Sequence, residues 1–445
     1  MRRPAAIFAV PSVGVVLLLA YALRRGPVVF AAQLFADRAV GLATLGTLVL
    51  FGAWRLASVA HAFVRANGSN AAGGKAEDGK TRRVVDRAVL AALVVTIVIT
   101  HLGGGYYLMA YSDAGSRVFG APNASFVDLA TPVPSLDPSA SAGPTHTAAP
   151  TPSIANRVTI LFTGVDSSTV RGETLYDSLL IVSYDPHTNS VQMLSVPRDS
   201  TSFPFYFAPR SIAPTWLRLN SVPTNVRAGG IFGSPDSPYM TLVNQVSYLA
   251  GIRIDYYAAM DLAGFASMID KVGGIDVVNP QTIDDPDYVL NNGVQEFGTP
   301  GFYLAAGPQH LDGPHALAYV RSRKSAGDND FGRSSRQQQV LIALLHKMSQ
   351  PDQILNLPNL VGTLGSSVTT NFPADKLADY IAIGQNVPSE NFKHVVLDPT
   401  DGFSEYLPNG ALCLYNDRVA AESVALFGTD SLWSGKTAPA NTCPG

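Results

Sequence analysis

Three apolar runs crowd the start of the chain, the last ending at Ala110, and constrain everything after them. Ala5 to Leu23 is uncharged throughout and lies between Arg2, Arg3 and Arg24, Arg25. That length crosses a bilayer as a helix. The alternative is a secretory signal, but further apolar runs follow it and no cleavage site does. Ala39 to Trp54 is a shorter uncharged run. It spans only if it continues to about Val64 and takes in Arg55, which can snorkel or mark an end. Ala88 to Ala110 is apolar except for His101 and carries Tyr106 and Tyr107 near one end, where interfacial aromatics belong. The loop from Arg65 to Arg87 is rich in Arg and Lys. The positive-inside rule puts this loop, with Arg2 and Arg3, in the cytoplasm. Three spans (5–23, 39–64 and 88–110) then deliver everything after about Ser112 to the outside of a cell membrane. Loss of the second span would reverse that parity.

Composition agrees with membrane attachment. Apolar residues make up 47% of the 445 residues and charged residues 15%, and the net charge is −3. No overall basic balance argues for a nucleic-acid partner. Residues 112–156 form a linker that becomes, from Ala121, a run of Pro, Ser, Thr and Ala. Such a segment buries no core and is expected to be extended. The globular domain is expected over 157–445.

Within it, Val158 to Thr163 reads as a buried strand running into Asp166. Ser178 to Tyr184 and Ser190 to Val196 read as a hairpin turned by Asp185-Pro186-His187-Thr188-Asn189. Ile254 to Met260 and Ile275 to Val278 are further strands, and His394 to Leu397 another. Helices are expected over Tyr239 to Leu249, over Leu262 to Val272 with a stop at Gly273-Gly274, and over Ala374 to Gly384. Another begins near Asp312, an N-cap, with Pro314 in the first turn. Strands alternating with helices predict an α/β sandwich. Asp166, Asp177 and Arg198 all fall at strand ends, so they can converge despite their separation. Outside the cell a disulfide between Cys413 and Cys443 is permitted; it would close a loop of about 30 residues and contribute roughly 3–4 kcal/mol. The aromatic group Phe203, Phe205, Tyr206 and Phe207 reads either as core or as the lip of a pocket. His310 and His315 are poorly spaced for a shared metal and read as surface residues.

The densest charge pattern is Arg321 to Gln339, R-S-R-K-S-A-G-D-N-D-F-G-R-S-S-R-Q-Q-Q. Arginine suits phosphate because its planar fork presents five donors. Arg321 and Arg323 would share one face on a strand and splay apart on a helix. Gly327 and Gly332 bracket Asp328 and Asp330 and mark a loop, with helix from about Arg333 onward. The stretch reads as an anion-binding segment. The competing reading is a solvated charge run ahead of an amphipathic helix, with one of Arg333 and Arg336, more naturally Arg336, in a structural ion pair.

Blocks in order along the chain carry a resemblance. They are I-L-F-T-G-V-D-S at Ile160 to Ser167 with Asp177 following, M-L-S-V-P-R-D at Met193 to Asp199, and D-K-V-G-G-I-D-V at Asp270 to Val277. L-D-G-x-x-A-L-A-Y-V-R-S-R from Leu311 and D-x-x-R-x-x-R-Q at Asp330 to Gln337 complete the set. The chain resembles the LytR-CpsA-Psr family, from about Arg157 to Met348 and onward to about Pro399. The resemblance implies a three-layer α/β/α sandwich around a mixed sheet, with a hydrophobic lipid pocket. It implies an extracytoplasmic, Mg²⁺-dependent phosphotransferase that moves a glycopolymer from a polyprenyl-pyrophosphate carrier to peptidoglycan or another wall acceptor. By motif position, Asp166 and Asp177 are implied as metal ligands and Arg198, Arg321 and Arg323 as the pyrophosphate grip. Asp330, Arg333 and Gln337 fall on the remaining site positions. Asp199 or Asp330 could take the acceptor's proton, or Asp199 could orient Arg198.

Two departures stand out. Leu175-Tyr176-Asp177 stands where the family usually has R-S-D, which removes one phosphate contact that Arg171 could replace. Pro314-His315 stands where an acidic residue is common. The first departure leaves room for a polyprenyl-pyrophosphate hydrolase. A membrane-bound regulator that binds polyprenyl phosphate without turnover is the non-enzymatic alternative.

Overall fold

The computed structural model describes residues 4–26, 37–70, 79–118, 156–168, 173–207, 211–226, 232–289 except 235, 301–325, 330–348, 367–373 and 386–443, with a few isolated positions besides. Most of the expected linker, Arg171, and most of the helix expected over 374–384 lie outside these residues.

The N-terminal region is helical: α1 (Pro4–Arg25), α2 (Arg38–Asn70) and α3 (Gly79–Val118). Among the described residues, Ala39–Arg65 and Arg87–Ala110 are long and apolar enough to cross a membrane. The helix α1 contains the first uncharged run and is 22 residues long. Between α2 and α3, Gly52 sits where a Cβ would lie 2.6 Å from the His101 ring. The missing side chain lets the imidazole pack there, with Nδ1 bonded to the Ile97 carbonyl at 2.8 Å.

The second unit is built on a mixed sheet. Its strands are β1 (Val158–Ser168), β2 (Glu173–Tyr176), β3 (Leu180–Asp185), β4 (Ser190–Ser195), β6 (Tyr256–Asp261), β11 (Val368–Thr370) and β12 (Phe392–Val396). Their order is β11-β6-β1-β3-β4-β12, with β2 folding back on the far end of β1. The β1–β6 and β4–β12 pairs are parallel; β1–β3, β3–β4 and β6–β11 are antiparallel. Short strands complete the set: β5 (Ser200–Thr201), β7 (Ile275–Asn279), β8 (Ile283–Asp285), β9 (Phe302–Leu304), β10 (Gly307–Leu311), β13 (Ser404–Tyr406) and β14 (Leu412–Leu414). The helices are α4 (Val222–Asn225), α5 (Pro238–Ala250), α6 (Leu262–Lys271), α7 (Gly313–Arg321), α8 (Asp330–Met348) and α9 (Asn416–Phe427).

Side-chain alternation assigns the two faces. Leu161, Ile181 and Leu194 stand side by side across β1, β3 and β4 and pack with residues of α5 and α9 in one large apolar layer. Phe162, Leu180, Val182 and Met193 point the other way, onto Leu341 and Ile342 of α8. Helices therefore cover both faces, giving the α/β sandwich that the alternation predicted in the three-layer α/β/α form that the resemblance implied. Phe203, Phe205 and Tyr206 are buried in the first layer, so the core reading holds for them. Phe207 is partly buried and stacks on Phe205.

The sequence signals at helix ends act as expected. Asp312 caps α7 by accepting from the His315 amide at 3.0 Å, with Pro314 in the first turn. Gly273 and Gly274 end α6 at φ +80° and +79°, where a side chain would be strained. One reading is corrected. Gly332 lies inside α8, which begins at Asp330, so it is no loop marker. The Cys413–Cys443 disulfide is formed, with Cα atoms 5.4 Å apart. It joins β14 to the C-terminal segment, and Cys413 is fully buried beside Leu407 and Ala411.

Candidate functional site

Because β1 is longer than β3, its last residues run past β3 and pair with β2 in the same sheet. The register sets Leu175 directly opposite Asp166, and the Asp177 amide bonds to the Gly164 carbonyl at 2.8 Å. Directly opposed residues project to the same face. Asp166, Leu175 and Asp177 therefore share one face, and alternation makes it the face covered by α8. Asp166 is 4% exposed. Tyr176, on the reverse face, meets Tyr239 edge-on at 5.7 Å, and Tyr239 stacks on Tyr257 at 5.5 Å. Burial, with the neighbouring tyrosines, pushes the Tyr176 phenol well above its ordinary pKa.

Arg198 follows β4 and Pro197. Its guanidinium pairs with Asp177 through Nη1 and lies 3.4 Å from the Asp199 carboxylate through Nε. Asp199 is held from the other side by Arg218 at 2.8 Å, and its carbonyl accepts from the Leu412 amide of β14 at 3.1 Å. Asp177, Arg198, Asp199, Arg333 and Gln337 line one small cavity, closed by Phe331, Ser334 and Leu412. The first two turns of α8 form its roof, so the positive end of that helix contributes to the same field. Arg333 is only 6% exposed.

Arg321 and Arg323 sit on neither a shared strand face nor a shared helix. Arg321 is the last residue of α7, and Arg323 follows the C-cap Ser322, whose backbone is already extended. The side chain of Arg321 is half-buried and that of Arg323 exposed. Gln337 bridges to this segment, donating to the Val320 carbonyl at 3.3 Å, one residue from Arg321. Arg336 donates to the Tyr319 and Ser322 carbonyls at 2.7 and 2.6 Å, so its role is to fasten α8 to the end of α7. The backbone of Asp330 opens α8, while its side chain and residues 326–329 lie outside the described residues. His310 is exposed and His315 half-buried, and they pair with Asp276 and Asp312 respectively, as surface residues should.

Two residues of the site escaped the sequence reading. Arg218 is one. The other is Asp285, 3% exposed at the end of β8. Its carboxylate accepts from the Ser322 hydroxyl at 2.7 Å and from the Arg323 and Lys324 amides at 3.2 and 3.3 Å. The carboxylate thereby fixes the loop that carries the arginines.

A family model, LytR_cpsA_psr, matches residues 135–424. The chain belongs to the LytR-CpsA-Psr family. The match extends further at both ends than the quoted motifs do. Over 271 residues the chain is 30% identical to the polyisoprenyl-teichoic acid–peptidoglycan teichoic acid transferase TagV of Bacillus subtilis, covering 60% of this chain and 62% of that protein. It is 29% identical over 224 residues to the corresponding transferase TagU of Bacillus anthracis, covering 50% of this chain and 63% of the relative. The chain thus matches somewhat less than two thirds of the length of these relatives. The crystal structure of B. subtilis TagV aligns at 28% identity with a TM-score of 0.44, over 58% of this chain and 91% of that one.

Within the LytR-CpsA-Psr frame, the missing arginine is significant because of where Leu175 lies. It faces Asp166 on the α8 side of the β1–β2 hairpin, two residues before Asp177, which lines the cavity, while Leu175 and Asp166 themselves do not line it. The pair Asp166 and Asp177 has the donor chemistry of a hard divalent cation. Mg²⁺ commonly takes one or two carboxylates, keeps waters and shares substrate phosphates. Among the described residues no group of three or more His, Cys, Asp or Glu gathers.

Proposed function

We propose that this chain is a membrane-anchored phosphotransferase that moves a glycopolymer from a polyprenyl-pyrophosphate carrier to a hydroxyl of peptidoglycan or another wall acceptor. The observation that carries the reading is the meeting of Asp177, Arg198, Asp199, Arg333 and Gln337, drawn from three distant parts of the chain, on one cavity beside the arginine loop. The relatives' names describe transfer of this kind, and the family match supports it.

A pyrophosphate diester carries two negative charges, so cations must meet both phosphoryl groups. Arg198 and Arg333, which line the cavity, would hold one, and Arg321 at the end of α7 with Arg323 just beyond it would hold the other. Asp166 and Asp177 are the residues to hold Mg²⁺, which would neutralise charge on the departing phosphate. Asp177 keeps Arg198 in place until the anion arrives. Asp199, clamped between Arg198 and Arg218, orients Arg198, and that double pairing leaves it poorly suited as a base. In the reaction the acceptor oxygen bonds to the phosphorus next to the glycan as the bridging P–O bond breaks. Polyprenyl phosphate leaves with the electron pair, and the acceptor's proton passes to that phosphate monoester, whose second ionisation lies near neutrality. Positioning and charge stabilisation supply the rate. Three N-terminal spans would anchor the protein with this domain outside.

Alanine substitution of Asp177 and of Arg198 in cells tests the reading. Wall-attached glycan should fall with each while protein level is maintained. Unchanged attachment in both would overturn it. Leu175 favours one second reading, hydrolysis, because a weakened grip on the donor lets water compete with a bound acceptor.

A further inference from the structure

A second cleft adjoins the cavity and shares its wall. It is framed by α8 (Ser335, Gln338, Gln339, Ile342), by β12 (His394 to Val396), and by Asp398, Asp401, Phe403 and Glu422. Gln338 separates the two spaces. Its side-chain amide, buried at 3% exposure, donates to the Ser195 hydroxyl at 2.8 Å and to the Val395 carbonyl at 3.3 Å. Ser195 lines the cavity and Val395 the cleft. Both spaces carry carboxylates, and they differ in their cations. Arg198 and Arg333 line the cavity, whereas among the described residues no arginine or lysine lines the cleft.

We infer that this cleft is the acceptor subsite, which binds an uncharged or amino-sugar glycan strand and presents its hydroxyl to the phosphorus held next door. This rests on the proposed transfer reaction and names where its second substrate sits. The lining is suited to sugar. Carboxylates accept from hydroxyls in pairs, side-chain amides can do the same, and the partly buried ring of Phe403 offers an apolar face to the C–H side of a pyranose. With no arginine or lysine beside them, these carboxylates repel a polyphosphate donor, whereas in the cavity Arg198 and Arg333 offset Asp177 and Asp199. The rigid floor supports the assignment. The Asp398 carboxylate accepts from the Asp401 amide at 2.8 Å and its carbonyl from the Phe403 amide at 2.9 Å, which fixes the turn presenting all three residues.

The test uses the full-length protein in detergent with a polyprenyl-pyrophosphate-linked saccharide as donor and an N-acetylglucosamine tetramer as acceptor. Steady-state constants for both substrates are measured for the wild type, Glu422→Gln and Phe403→Ala. Both variants should raise the acceptor KM about tenfold and leave the donor KM within about twofold. A circular-dichroism melt and the acceptor-free hydrolysis rate guard against misfolding. A raised donor KM, or unchanged constants in both variants, would overturn the acceptor assignment. Absence of any transfer by the wild type would instead count against the phosphotransferase reading itself.

Discussion

At the scale of single residues, the cavity is lined by two arginines, Arg198 and Arg333, and two carboxylates, Asp177 and Asp199. Leu175 stands where the family usually has an arginine, and under the proposed reaction it is where a phosphate contact would be lost. An arginine there would stand across from Asp166 and beside Asp177. A charge-assisted hydrogen bond to phosphate contributes roughly 1.5–3 kcal/mol. Leu175→Arg should therefore tighten binding of a short polyprenyl pyrophosphate about tenfold by calorimetry, and no change would show that position 175 does not reach the phosphate. Residue identity was partly legible. Arg198, Arg333 and Gln337 stood in motifs, and Arg336 could be assigned a structural role because arginines at a helix start often pair internally. Asp285 could not be found. It lies far from Arg323 in sequence, in a polar stretch with Asp284 and Asp287, and only folding of the β8–β9 hairpin shows which carboxylate is buried.

At the scale of elements, two carboxylates hold α7 and the loop after it. Removing Asp285 leaves the Ser322 hydroxyl and two amides without their acceptor, at a cost of roughly 1–3 kcal/mol. Asp285→Ala should raise the donor KM by lowering the order of Arg321 and Arg323, and Asp285→Asn should recover part of the loss. An equal fall in stability with unchanged KM would make its role structural alone. Asp312 acts at the other end of α7. Partial burial works against its charge, but the His315 amide, with the His315 ring, wins and holds the carboxyl below its ordinary value. A lowered carboxyl pKa gives stability that is complete above the ordinary value and fades as pH falls through the lowered one. Asp312→Ala should cost about 1 kcal/mol at neutral pH in urea unfolding. That deficit should shrink in acid; a deficit that stays constant into strong acid would contradict the cap's ionic character. Element types were readable because periodicity and caps are local. Boundaries were not: β1 runs to Ser168 and α8 begins at Asp330, since pairing with β2 and packing on α7 extend both beyond their own signals.

At the scale of the molecule, the sheet is assembled from segments far apart in sequence, with β12 beside β4 and β11 at the opposite edge. No local pattern reveals that order, so the α/β class could be read while the topology could not. The two cysteines were legible by parity and by the expected outside location. Their bond secures β14, whose Leu412 both closes the cavity and bonds to Asp199. Reduction should lower stability by about 3–4 kcal/mol by loop-closure arithmetic. It should also reduce transfer at temperatures where the domain stays folded, as checked by assay beside the melt. Full activity after reduction would show that β14 keeps its place without the bond.

Transfer to an acceptor, as against hydrolysis or binding alone, is distinguished by the release of polyprenyl phosphate. The full-length protein in liposomes is incubated with Mg²⁺ and a polyprenyl-pyrophosphate-linked saccharide, and polyprenyl phosphate is quantified with and without a glycan acceptor. The account predicts release that depends on acceptor, is matched mole for mole by acceptor-linked saccharide, and falls about a hundredfold or more in Arg198→Ala. Release that proceeds equally without acceptor, or tight lipid binding with no release at all, would contradict it.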